Sequence, residues 1–137
     1  MIKNFLLLTG PDDYRLGARK NFYIQAFRGK YPDGEVERFE TKSDFNSLSN
    51  AVLTPNLFGG RRLLIAEDFW IPEHFEQAEK ENFFKALDES SDLTLICVES
   101  SLDKRTKAAK WLLKNAKVEL FEHLSEGEII NLSLIHI

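Results

Sequence analysis

The sequence predicts a three-layer α/β domain, a five-stranded parallel sheet with helices on both faces. Two observations carry this. Residues 4–9, 62–66 and 92–98 are short, almost continuously apolar runs. Such runs are strands buried on both faces, as in parallel sheets. Between them lie capped segments with apolar residues at helical spacing, and strands that alternate with helices form crossover units. Residues 35–40 and 117–122 supply the other two strands.

In chain order, Asn4 to Thr9 is the first strand and Gly10-Pro11 ends it. Asp12 or Asp13 caps a helix whose inner face is read as Leu16, Phe22, Tyr23, Ala26 and Phe27. Glu35 to Glu40 alternates, with Val36 and Phe39 inward. Ser43 caps a second helix carrying Phe45, Leu48 and Val52, and Pro55 stops it. The third helix starts near Pro72, with Phe75, Ala78 or Glu79, Phe83 and Leu87 inward. Asp103 caps a fourth, with Ala108, Ala109, Trp111, Leu112 and Ala116 on its apolar side and a left-handed stop at Asn115. Ser125 and Glu128 have capping-box spacing for a further helix. The expected core includes Leu7, Leu64, Ile65, Leu95, Ile96 and Leu112. Residues 1–132 read as one domain, and 133–137 as a tail outside it.

Composition narrows the function. The chain has 137 residues, 43% hydrophobic and 29% charged, which suits one packed domain and opposes disorder. A net charge of -4 argues against a free-standing nucleic-acid binder, but not against a subunit whose partners bring the positive charge. The single cysteine, Cys97, lies inside an apolar run and has no internal partner. It points to a reducing, cytoplasmic setting and to an inert thiol. No apolar run approaches the ~20 residues of a membrane span, and Phe5 to Leu8 is too short for a signal peptide.

The first strand-to-helix turn is where a phosphate-binding loop would stand, and its chemistry is wrong. Counting from Gly10, the pattern requires Gly, Lys and Ser or Thr where this chain has Arg15, Leu16 and Gly17. The phosphate lysine and the magnesium hydroxyl are both missing, and Asp12 and Asp13 add negative charge. Glu67-Asp68 after an apolar strand has the look of a magnesium-holding acidic pair, yet without the loop it reads as a solvated strand end. The rival reading is a divergent nucleotide-binding enzyme using Lys20 with Glu67 or Asp68. His74, His123 and His136 show no metal-ligand spacing, and no Ser stands in a nucleophile elbow. Hence no cofactor, metal or catalytic residue is expected. Lys104, Arg105, Lys107, Lys110, Lys114 and Lys117 form a basic cluster, either a solvated helix face or a surface for phosphates or a subunit.

The unusual stretch is Asn50 to Asp68. Pro55-Asn56 and Gly59-Gly60 are breakers, and between them sit two large apolar residues, Leu57 and Phe58, where polar turn residues belong. Either they fold back onto their own core or they form a wedge for a partner.

Three stretches together resemble the N-terminal domain of the delta subunit of bacterial DNA polymerase III, part of the clamp loader. They are Phe5-Leu6-Leu7-Leu8-Thr9-Gly10 followed by acidic residues; Leu53-Thr54-Pro55-Asn56-Leu57-Phe58-Gly59-Gly60-Arg61-Arg62-Leu63; and Leu102-Asp103-Lys104-Arg105-Thr106-Lys107 with Val118-Glu119-Leu120-Phe121 beyond. The resemblance covers about residues 4 to 132 and implies a AAA+-like fold that has lost nucleotide binding. It implies that Leu57 and Phe58 plug a hydrophobic pocket of the sliding clamp, with Val52, Leu53 and Asn56 beside them. The helix around Asp44 to Leu53 would lie against the clamp and help to open the ring. Lys104, Arg105, Lys107 and Lys110 would face another loader subunit or DNA. The remaining family domains, which join the loader's other subunits, would lie beyond this chain.

Overall fold

The computed structural model describes residues 2, 4–39, 45–54, 60–67, 77–100, 105 and 107–121. Nine elements follow in order: β1 (Phe5–Thr9), α1 (Asp13–Lys30), β2 (Glu35–Phe39), α2 (Phe45–Leu53), β3 (Arg62–Glu67), α3 (Gln77–Glu89), β4 (Leu93–Glu99), α4 (Lys107–Asn115) and β5 (Lys117–Leu120). The strands form one sheet in the order β2-β3-β4-β1-β5, and every pairing is parallel.

The strand order dictates the layers. From β1 the chain crosses to β2 at the far edge, and every later connection steps back the other way. Right-handed crossovers then place α1 on one face and α2, α3 and α4 on the other. The two cores follow this division. On the three-helix face Phe5, Leu7, Leu64, Leu95 and Cys97 pack with Leu48, Val52, Phe83, Phe84, Leu87 and Leu112. On the other face Leu6, Leu8, Leu63, Ile65, Ile96 and Val98 meet Leu16 and Ile24 of α1. All six expected core residues are buried. Phe84 stacks between Phe5 and Trp111, with ring centroids 5.2 and 4.4 Å away, and so ties α3 to β1 and α4.

One detail differs from the sequence reading, and two are made more specific. Ile24, not Phe22, points inward from α1; Phe22 is 54% exposed and Ala26 is exposed too. Val36 and Phe39 both turn inward but on opposite faces, as the two-residue period of a strand requires. Asn115 closes α4 by its side chain, whose amide donates to the Trp111 carbonyl at 2.9 Å. The expected starts at Ser43, Pro72 and Asp103, and the helix after Ser125, lie outside the described residues.

Gly10 is the tightest point of the fold. Its φ is +130°, and a Cβ there would stand 2.0 Å from the Phe121 carbonyl oxygen. Gly10→Ala should therefore destabilise the domain by about 2–3 kcal/mol. Thermal denaturation reads this as a lower melting temperature, and an unchanged one would mean that the turn can move away from Phe121.

Candidate functional site

Two places could carry function: the crevice at the C-terminal ends of β1 and β4, and the corner where α2 meets β3. In parallel sheets ligands lodge where neighbouring strands send their connections to opposite faces. Here that point lies between β1, which leads to α1, and β4, which leads to α4.

The β1–α1 turn beside the crevice is tied to the end of β5. The Phe121 amide donates to the Thr9 carbonyl at 2.8 Å, and the Phe121 carbonyl accepts from the Asp12 amide at 3.3 Å. The Asp12 side chain caps α1 by accepting from the Arg15 amide at 3.1 Å. A phosphate cradle needs such amides unspent at a helix start. Leu16, at the position a phosphate lysine would hold, is 2% exposed in the core. Beyond the turn a cleft of about 160 Å³ is lined by Asp13, Leu16, Gly17, Lys20, Glu67, Val98 and Ser100. Lys20 Nζ lies 2.5 Å from Glu67 Oε1, so the rival site is an ion pair linking α1 to the end of β3. Asp68 lies outside the described residues.

The neighbouring residue, Arg19, pins α1 on the other side. Its Nη2 is 2.8 Å from Oε1 of Glu119, a residue 1% exposed in β5. The Tyr23 hydroxyl donates to Glu119 Oε2 at 2.6 Å. The Arg19 guanidinium also lies over the Phe22 and Tyr23 rings, at 4.5 and 4.8 Å. Burial first, and then the hydrogen bond to Glu119, pushes the Tyr23 hydroxyl up to about 12. The neutral phenol is thus favoured in the fold, and its stabilising contribution is complete below the unfolded value of ~10. It fades as pH rises from there through about 12. Melting temperature should fall over this alkaline window, and less steeply in Tyr23→Phe. Parallel curves for the two chains would remove Tyr23 as the cause.

At the α2 corner, consecutive arginines open β3 and point to opposite faces. Arg62 Nη1 donates to the Ala51 carbonyl at 2.8 Å, near the C-terminal end of α2. Arg61 Nη1 donates to the Ser91 carbonyl at 2.6 Å, and its guanidinium lies over the Tyr31 ring at 4.9 Å. Val52 is 6% exposed and belongs to the core. Its neighbour Leu53 is 50% exposed, because it falls on the outward side of the same turn. Asn56, Leu57 and Phe58 lie outside the described residues.

Of the basic cluster, Arg105, Lys110, Lys114 and Lys117 are exposed. Lys110 and Lys114 stand one turn apart on α4, opposite the buried Ala109, Leu112 and Ala116. Lys107 begins α4, and Lys104 lies outside the described residues. Cys97 is fully buried, and burial raises its thiol well above the usual value, so it stays protonated and unreactive. Among the described residues no group of His, Cys, Asp or Glu could hold a metal, and no helix is long and apolar enough to cross a membrane.

Residues 6–121 match the family model described as "DNA polymerase III, delta subunit". The chain belongs to that family. Its fold is similar to that of the Bacillus subtilis DNA clamp loader delta protein (YqeN), with a TM-score of 0.67 at 18% identity. That likeness covers 93% of this chain and 40% of the other, so the chain spans well under half the length of the relative. No curated protein matches.

The sequence reading missed Arg62 and Glu119 as holding points. The signal for Glu119 was a carboxylate at an inward position of an otherwise apolar strand end. Its partners lie 96 and 100 residues earlier, beyond the reach of any local pattern.

Proposed function

We propose that this chain is the clamp-binding domain of a clamp-loader delta subunit. It holds the DNA sliding clamp and helps to open the ring for loading onto primed DNA in the cytoplasm, and it catalyses no reaction. The family match across residues 6–121 carries this reading. By position within the family pattern, Leu57 and Phe58 fill a hydrophobic pocket of the clamp, with Leu53 and Asn56 beside them. Two features support it. The exposed Leu53 marks the corner from which the chain departs toward Leu57 and Phe58. At the strand ends, the Lys20–Glu67 pair and the bonded amides occupy the place where a nucleotide would sit, in keeping with a degenerate P-loop. Other loader subunits are met through domains beyond this chain, and DNA through the whole complex. Arg105, Lys107 and Lys110, with Lys104, offer the basic face for one or the other.

The loss of nucleotide binding has its own test. Titrating ATP and magnesium into the chain should give no saturable heat in the micromolar range. Weak phosphate or sulfate binding at the α1 start is expected of any helix N-terminus and decides nothing. A magnesium-dependent micromolar affinity, reduced in Glu67→Gln, would replace this reading with that of a divergent nucleotide-binding enzyme.

A further inference from the structure

The geometry points to a binding site for a short acidic peptide on the face of the sheet that α1 covers. The peptide sets one large apolar side chain into a groove beside α1 and its carboxylates against lysines at the rim. The groove shares no lining residue with the strand-end cleft and lies on the opposite face of the sheet from α2.

Among the described residues one helix lies on this face, and it does not cover the sheet. Its first half is tied toward the C-terminal ends of the strands, by Lys20 to Glu67 and by Arg19 to Glu119. Toward the strand starts it leaves a groove of about 240 Å³. The floor is Leu6, Leu63, Thr94 and Ile96, from three neighbouring strands. Thr94 marks the opening. It stands in β4, the middle strand of the sheet, and is exposed while every other residue of β4 is buried. A parallel sheet is normally covered on both faces. The helix wall is Tyr23, Ala26 and Phe27. Ala26 is exposed and offers only a methyl group where a longer apolar side chain would fill the gap.

Size and charge choose the occupant. Pockets that take a whole small ligand run to about 300–1,000 Å³. This groove is smaller and suits one large side chain of a peptide, the kind of anchor that dominates a contact. The Tyr23 hydroxyl is taken by Glu119, so the ring is what Tyr23 offers the groove. The rim is basic. Lys30 lines the groove, with its ammonium 5.5 Å from the centre of the Tyr31 ring. Lys117 is the strand neighbour of Leu6, is exposed, and shares this face because Val118 turns into the other core. Neither lysine has an ion pair among the described residues. The carboxylates that the strands carry on this face, Glu67 and Glu119, are already bonded to Lys20 and Arg19. Salt confines such choices to charges within about 10 Å. The two lysines, not the net charge of -4, therefore set what the groove attracts.

The probe is a dye-labelled pentapeptide of glycine, two aspartates, phenylalanine and leucine, titrated against the chain by fluorescence anisotropy. Saturable binding in the high micromolar range is expected. Alanine in place of the peptide's phenylalanine and leucine should weaken it roughly tenfold or more. Lysine in place of its aspartates should weaken it about threefold, the scale of exposed charge pairs. On the protein, Ala26→Leu fills the groove and should weaken binding roughly tenfold, with a melting temperature equal to the parent's or above it. Lys30→Glu should weaken binding about threefold, and the difference from the parent should vanish in ~1 M salt. The inference is overturned by the absence of saturable binding below millimolar peptide, by equal binding of the alanine or the lysine peptide, or by parent-like binding in either variant. Should Ala26→Leu fold poorly, Lys30→Glu decides, since Lys30 is exposed and outside both cores. A parent that sediments as a dimer and an Ala26→Leu chain that sediments as a monomer would give the groove to a second copy of the chain, and would likewise overturn it.

Discussion

Glu119→Ala should destabilise the domain by about 2–3 kcal/mol, or roughly 8 °C of melting temperature for a chain of this size. Glu119 is 1% exposed and receives bonds from both Arg19 and Tyr23. Removing it leaves a guanidinium and a phenol without their acceptor. The cost stays toward the lower end for a buried pair because the Arg19 side chain keeps 29% of its exposure, so water replaces part of the loss. The effect reaches the whole fold, because α1 is the one described helix on its face of the sheet. It is fixed there by Arg19 to β5 and by Lys20 to β3. Glu119→Gln keeps the shape and an acceptor and should cost clearly less than Glu119→Ala. Equal losses would show that packing, not the charged hydrogen bonds, holds α1 in place.

The second large effect concerns binding. Burying a side chain such as Leu57 or Phe58 in a partner's pocket is worth about 1.5–3 kcal/mol each. Leu57→Ala with Phe58→Ala should thus weaken clamp binding by about a hundredfold or more. The melting temperature should hardly move, since the described residues already seat both flanking elements: Leu48 and Val52 seat α2, and Leu63 to Ala66 seat β3. If the pair served the fold instead, the double variant would lose melting temperature and keep the clamp. Changing Lys107 and Lys110 should matter much less for the clamp alone.

The strands were legible because a strand covered on both faces must be apolar throughout. Leu64, Ile65, Leu95 and Ile96 needed no partner to be recognised. The inner face of α1 was misread for a related reason. Arg19 and Lys20 occupy the sheet-facing flank of that helix, where apolar residues mark a core face, and they do so to reach Glu119 and Glu67. Pairing charges there frees Phe22 to point outward and blurs the helical period. The crevice was legible as chemistry, from Leu16 and Gly17 where lysine and a hydroxyl belong, although the Lys20–Glu67 contact needed coordinates to become an ion pair. At the α2 corner Val52 and Leu53 are both apolar, and the helical spacing from Leu48 puts Val52 on the inner stripe. As neighbours they lie about 100° apart around the helix, so only one of them can face the core.

The central claim is that this domain holds a sliding clamp through Leu57 and Phe58. Its most direct test is a calorimetric titration of the cognate clamp with the parent chain and, side by side, with the Leu57→Ala/Phe58→Ala chain at equal foldedness. Saturable binding by the parent and its loss in the variant is the predicted result. Equal binding by both chains, or no binding by the parent, would contradict it.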